Sequence, residues 1–238
     1  RRDLIQAHIA KGVKPPCLHA CADPLPKCKL GSCFWQSLFL ASFFPARQGG
    51  KEGRRARLFR ERQVQDVTVR AEALHDFLQR AYAAQEVPNY DAAKIAAQTV
   101  DAELRGVTSH GCVRFGLFSE RLRKGTVNPR PDIKTITDLP AYSLIDGDLG
   151  MSAVVGRRAM EIAMDKAEAC GIGAAALRRS SHTGHVGYFA AMALEKGMLG
   201  IVISGAAPNL APWGGTERML GNSPIAFAVP SNQEYPII

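Results

Sequence analysis

A chain of 238 residues that is 46% hydrophobic and 22% charged has an ordinary globular composition, which excludes a disordered, fibrous or collagen-like protein. The net charge of +8 would suit a polyanionic partner, but residues 1–65 carry 13 Lys/Arg against 4 Asp/Glu. The excess therefore belongs to a leader, and the body from 66 to 238 is close to neutral.

The leader combines Cys17, Cys21, Cys28 and Cys33, a short apolar run from Phe34 to Phe44 and an arginine-rich stretch from Arg47 to Arg62. It keeps neither the helical nor the strand period, so residues 1–65 read as a disordered extension or as translated sequence upstream of the true start. Its cysteines depart from the paired two-residue spacing of zinc sites, which argues against a metal. The apolar run is too short to span a bilayer and lies too far from the N-terminus for a signal peptide, so no membrane partner is expected. Cys112 and Cys170 are far apart in the body, and a reduced, cytoplasmic protein is the expectation.

Order begins near Val67. Leu74, Phe77, Leu78 and Ala81 recur at spacings of three and four, the stripe of an amphipathic helix over 69–84. A second helix is expected after Asn89 as its cap, through Ile95, Val100 and Leu104 to Gly106, and a third after Ser109, with Leu117, Phe118 and Leu122, closing near Gly125. Residues 66–130 thus read as a helical unit. Beyond Pro131 strands and helices alternate: a strand at 142–145 closed by the turn pair Asp146-Gly147, and a helix from Met151 to Cys170 ended by Gly171. A strand follows at 172–177, a helix at 188–196 stopped by Gly197, and strands at 199–204 and 224–229. The fold class is α/β: a helical N-terminal unit followed, over 131–238, by strands and helices in alternation.

No GxGxxG follows a strand, and the chain has no phosphate loop, no HExxH and no GxSxG. A Rossmann dehydrogenase, a nucleotide triphosphatase, a zincin and an α/β-hydrolase therefore lose weight.

Three polar clusters remain. In the first, His110 and Arg114 are four residues apart, one helical turn, and put a proton-transfer group beside an anion-binding guanidinium with Ser109 near the helix cap. The same spacing suits an ordinary cap and two solvated side chains equally well. In the second, Ser180 to Gly187, a loop after a strand carries His182 and His185, the second a bystander; no nearby acid or cysteine completes a metal set. The third runs from Ala206 to Gly215 around Trp213, which alone is more often a core anchor than a stacking platform.

Taken together, RGVTSHGCVRF, NPRP at Asn128–Pro131, IDGDLG at Ile145–Gly150, GIGAAALRRSSHTG, APWGG and GNSPIAFAVP resemble, in order and spacing, the malate/L-lactate dehydrogenase family over residues 67–238. The resemblance implies a non-Rossmann α/β fold that holds NAD or NADP, with residues 131–238 as an incomplete α/β cofactor and substrate domain of that fold, and a homodimer. It places the family's Ser-His-Gly motif on Ser109, His110 and Gly111, and its nearby arginine on Arg114. The family's Asn-His falls on Ser181 and His182, so only the histidine is kept. Where the family has Thr-Asn-Ser this chain has Ser204-Gly205-Ala206, which puts one cofactor or substrate hydrogen bond at Ala206 in doubt. Ser223 stands where many relatives have asparagine.

The implied chemistry is reversible hydride transfer between nicotinamide and a 2-hydroxy or 2-oxo acid. It needs a base with a pKa near neutrality, which is histidine's range. Arg114 can clamp the substrate carboxylate, with Ser109 beside it. The residues leave open which histidine is the acid/base; the reading favours His182 in that role and His110 as the partner that polarises the oxygen. Two rivals stand: a nucleic-acid binder acting through the basic leader, for which no aromatic platform or module is evident, and a noncatalytic remnant of the family. The resemblance further implies that residues 1–238 are an N-terminal fragment that exposes apolar sheet faces, binds NAD(P)H weakly and turns over little.

Overall fold

The computed structural model describes residues 4–10, 64–233 and 235–238, with side chains from Thr68 onward. The leader's four cysteines, its apolar run and its arginine stretch lie outside the described residues. Strands β1 (Leu4–Ala10) and β2 (Val64–Arg70) come first along the chain, and one compact unit takes in residues 4–7 of β1 together with Thr68–Ile238.

Three helices open this unit: α1 (Ala71–Ala83), α2 (Asn89–Leu104) and α3 (Phe115–Arg123). On α1 the buried stripe is Leu74, Leu78 and Tyr82, each four residues on, and Phe77 is left exposed; it sits about 100° round the helix from Leu78. Asn89 is the first helical residue of α2 and not its cap: Pro88 holds the cap position, and the Asn89 carbonyl oxygen Oδ1 accepts from Gln79 Nε2 at 3.0 Å. Between α2 and α3 the chain makes two 3-10 turns, Thr108–His110 and Cys112–Arg114, in place of the start of one continuous helix.

After α3 come β3 (Lys134–Leu139), β4 (Tyr142–Gly150), α4 (Ser152–Cys170) and β5 (Ala174–Ser180). These strands form a sheet in the order β3-β4-β5, with β3 antiparallel and β5 parallel to β4. Helix α4 is thus the crossover a parallel pair requires. Gly171 ends α4 in the left-handed region at φ 80°. The expected turn at Asp146-Gly147 is absent, because β4 continues to Gly150. Asp148 and Leu149 take positive φ of 48° and 59°, and Arg179 on β5 takes 51°. Charge holds these conformations: the Asp146 carboxylate accepts the Asp148 N–H at 2.9 Å and pairs with Arg178 and Arg179, while Asp148 accepts from Asn128 and Arg179. These bonds, the Asp148 N–H foremost, hold the Asp146 carboxyl below the usual carboxylate range.

The chain ends with α5 (Val186–Met192), a 3-10 turn (Ala193–Lys196), β6 (Gly200–Ile203) and an antiparallel β7 (Ile225–Ala228). One hydrophobic cluster joins α1–α3 to the first turn of α4 through Met151, Ala153 and Val154, and a second packs α4, α5 and β6 around Met164, Phe189 and Met192. The β6–β7 face carrying Ile201, Ile203, Ile225 and Phe227 is exposed. Among the described residues no helix is long and apolar enough to cross a membrane.

Candidate functional site

The first polar cluster is shaped by its turns. Glu103 on α2 accepts the Cys112 N–H at 2.7 Å, and a Cβ on Gly111 would push that carboxylate aside, so glycine there leaves room for the bond that ties the segment between the two 3-10 turns to α2. Ser109 does not cap a helix: its Oγ lies 3.0 Å from His110 Nδ1, and Arg114 Nε donates to the Ser109 carbonyl at 2.7 Å. Arg114 is thereby folded back over Ser109, bringing the three residues together by a route other than the helical face their spacing suggested.

The second cluster is pinned at successive residues. The Ser181 N–H donates to the Gly150 carbonyl at 3.0 Å, Ser152 Oγ donates to the Ser181 carbonyl at 2.7 Å, and Gln98 Nε2 donates to the Thr183 carbonyl at 3.1 Å. The Gly184 N–H donates to His182 Nδ1 at 3.0 Å, with Gly184 in the left-handed region at φ 74°. A neutral His182 therefore carries its proton on Nε2. Thr183 and Ser204 hydroxyls meet at 2.7 Å, which ties this loop to the segment holding Ala206. Ala206 is half-buried, and its carbonyl sits where a Cβ on Gly221 would be.

These constraints converge. The His110 and His182 rings lie 5.5 Å apart at 35°, and Phe118 of α3 lies 6.0 Å from His182. Burial, followed by the charge of Arg114, lowers the pKa of both imidazoles below the ordinary histidine value. Among the described residues Arg114 has no carboxylate partner. The site thus offers two neutral imidazoles, one of fixed tautomer, beside a guanidinium free to take an anion.

Two neighbours of the site, His185 and Arg121, went unread in the sequence, and Ser181 was read there only as the position of the family's asparagine. His185, set aside as a bystander, places Nδ1 3.5 Å from the Asp101 carboxylate, which Arg105 Nε contacts through both oxygens at 2.9 Å. Burial works to raise the Asp101 pKa, yet His185 and Arg105 hold it below the usual range. Arg121 acts electrostatically on His182. Its signal was legible, since it lies seven residues after Arg114. Ser181 Oγ is buried without a hydrogen-bond partner.

The malate/L-lactate dehydrogenase family profile matches residues 69–238. The chain is 46% identical over 147 residues to the L-sulfolactate dehydrogenase of Methanocaldococcus jannaschii, covering 62% of this chain and 43% of that protein. It is 43% identical over 168 residues to the malate dehydrogenase of Pyrococcus horikoshii, covering 71% and 47% respectively. The solved structure of the Pyrococcus enzyme superposes with a TM-score of 0.68 over 70% of this chain and 47% of its own. The ureidoglycolate dehydrogenase (NAD(+)) of Escherichia coli O157:H7 is 31% identical over 159 residues, covering 67% and 46%. The chain spans about half the length of these curated relatives.

Proposed function

The chain belongs to the malate/L-lactate dehydrogenase family, and on that premise we propose that residues 68–238 carry the acid-binding and proton-handling groups of an NAD(P)-dependent 2-hydroxy acid dehydrogenase. The observation that carries the reading is the pair of half-buried imidazoles 5.5 Å apart beside an unpaired Arg114. The names of the three relatives, sulfolactate, malate and ureidoglycolate dehydrogenase, all describe oxidation of 2-hydroxy acids, and the last specifies NAD(+).

The residues fit a nicotinamide. Its carboxamide needs a hydroxyl or amide partner, and the unpartnered Ser181 Oγ lies one residue from His182; Ala206, lacking a hydroxyl, offers only its backbone. When bound, the nicotinamide supplies the hydride acceptor or donor. Arg114 holds the substrate carboxylate, a charge-assisted contact that orients the neighbouring carbon. His182, whose Nδ1 is occupied by the Gly184 N–H, presents Nε2–H and polarises the substrate oxygen while staying neutral. His110 then moves the proton: in the tautomer that donates Nδ1–H to Ser109 Oγ, 3.0 Å away, its Nε2 accepts the hydroxyl proton during oxidation. The order expected from sequence is thus reversed, because forming the His182 imidazolium would set a proton on Nδ1 against the Gly184 N–H. A homodimer in a reduced, cytoplasmic setting belongs to the same proposal, supported by the free Cys112 and Cys170 and the uncovered β6–β7 face.

The test uses the full chain. Pyruvate or malate is titrated in while the ring nitrogens of His110 and His182 are followed by NMR, and oxidation of NADH or NADPH by 2-oxo acids is assayed beside it. Both imidazoles should respond, and in a version extended to the length of the relatives His110→Asn and His182→Asn should each lower kcat/KM by about 10²–10⁴. Imidazoles indifferent to every acid, or variants within a fewfold of the parent, would overturn the reading.

A further inference from the structure

We propose that His185 and Asp101 form a positioning pair for the proton transfer at His110; this rests on the reading of His110 as the proton acceptor. Three consecutive residues of α2 set the geometry. The Ala102 carbonyl accepts the Val107 N–H at 2.8 Å and Glu103 accepts the Cys112 N–H at 2.7 Å, which seats the His110 turn on the C-terminal end of α2. Asp101, the residue before them, meets His185 Nδ1 at 3.5 Å, and Gln98, three residues earlier, donates to the Thr183 carbonyl at 3.1 Å. The loop that carries His182 and His185 thus rests on the same stretch of helix as the His110 turn, and the two share one base.

The pair is fixed on both sides. Arg105 Nε holds both Asp101 oxygens at 2.9 Å, which keeps the carboxylate from turning away. A Cβ on Gly187 would lie 2.9 Å from His185 Nε2, so glycine in the first turn of α5 leaves the imidazole its place. His185 Nδ1 is buried, and its 3.5 Å to Asp101 is longer than a well-formed hydrogen bond, so charge joins the two. A ring nitrogen turned to a carboxylate carries the proton. On α5 the Asp101 charge also reaches Tyr188, whose hydroxyl accepts from Arg157 of α4 at 3.4 Å. The two site imidazoles differ in what reaches them: Arg114 acts on both, whereas His185 acts on His110 and not on His182. A bound carboxylate balances Arg114, the larger of the two charge effects on His110. His185 is paired with Asp101 and stands outside that clamp, so its effect persists with the acid in place and keeps the accepting nitrogen of His110 free. The plain alternative is a pair that only ties the loop before α5 to α2.

The experiment follows the ring nitrogens of His110, His182 and His185 by NMR across pH in the full chain, with and without malate, in parent, His185→Gln and Asp101→Asn. H185Q should raise the His110 midpoint toward the ordinary histidine value and leave His182 near its parent midpoint, and the difference should remain with malate bound. D101N keeps the imidazole but frees its ring. There His110 should move the same way by less, and the His185 nitrogens should change from a proton fixed on Nδ1 to a mixture of tautomers. An unmoved His110 in H185Q, or equal movement of His110 and His182 with a lowered melting temperature, overturns the inference while leaving the Arg114 reading intact. Should H185Q fail to fold, D101N decides: a His110 midpoint and a His185 tautomer both at their parent values overturn it. If malate moves neither His110 nor His182 in the parent, the function reading and this inference fall together.

Discussion

Replacing Gly150 with alanine probes the join between the strand that ends beside the site and the helix that crosses over it. A Cβ there would lie 2.7 Å from both Pro131 Cγ and Val155 Cγ1, and 2.8 Å from Pro131 Cβ. Carbon atoms pack best at about 3.5–4.0 Å, so about 1 Å of overlap must be relieved. Neither neighbour can yield cheaply: the proline ring is rigid, and Val155 is fully buried in the first turn of α4. The end of β4 and α4 must separate, and the cost falls in the upper part of the overpacking range, about 2–3 kcal/mol. For a unit of this size that lowers Tm by about 4–12 °C. Because the Gly150 carbonyl accepts the Ser181 N–H, the His182 loop should shift with it. Gly116→Ala is the control of opposite sign: Gly116 lies in α3 with nothing within 4 Å of an added Cβ, and should gain about 0.5 kcal/mol. Urea unfolding followed by circular dichroism reads both. A G150A variant within about 0.5 kcal/mol of the parent, or a G116A variant as unstable as G150A, would refute the packing argument.

Arg114→Gln should raise the pKa of both His110 and His182 toward the ordinary histidine value without exceeding it, since burial, the larger cause, remains. Histidines held neutral in the fold make stability fall as pH drops below about 6.5, so this loss should be shallower in R114Q. Imidazole NMR titration and urea unfolding at neutral and acid pH check it; unmoved resonances would show that Arg114 does not face the pair. Tyr82→Phe should leave stability unchanged or raise it by about 1 kcal/mol, because the Tyr82 hydroxyl is buried without a partner while its ring packs edge-on against Phe115 at 5.2 Å. A loss of more than about 1 kcal/mol would mean that the hydroxyl is bonded.

Much of the fold was legible because local chemistry enforces it. Gly171 and Gly197 end their helical segments at φ 80° and 67°, a region other residues enter at a cost. Strands β5, β6 and β7 emerge within a few residues of their apolar runs. Strand β3 gave no such signal: KTITDL is exposed at most positions, so no buried face imposes an alternation. The continuation of β4 past Asp146-Gly147 was also hidden, because two guanidinium groups from β5 hold that backbone and the pair alone reads as a turn.

The sequence by itself determined which residues could do chemistry: Ser109, His110, Arg114 and His182 have the required groups, and their motifs, in order, mark the family. Tertiary structure decided how those groups are held. The tautomer of His182 is set by the Gly184 N–H, and the lowered pKa of both imidazoles by burial and the folded-back Arg114. His185 gains its Asp101 partner only when the loop before α5 packs on α2. Local periodicity places a residue on a face of its own element. Protonation and partnership depend on what other elements bring within a few ångströms, through the low-dielectric packing that strengthens a charge or leaves it unsolvated.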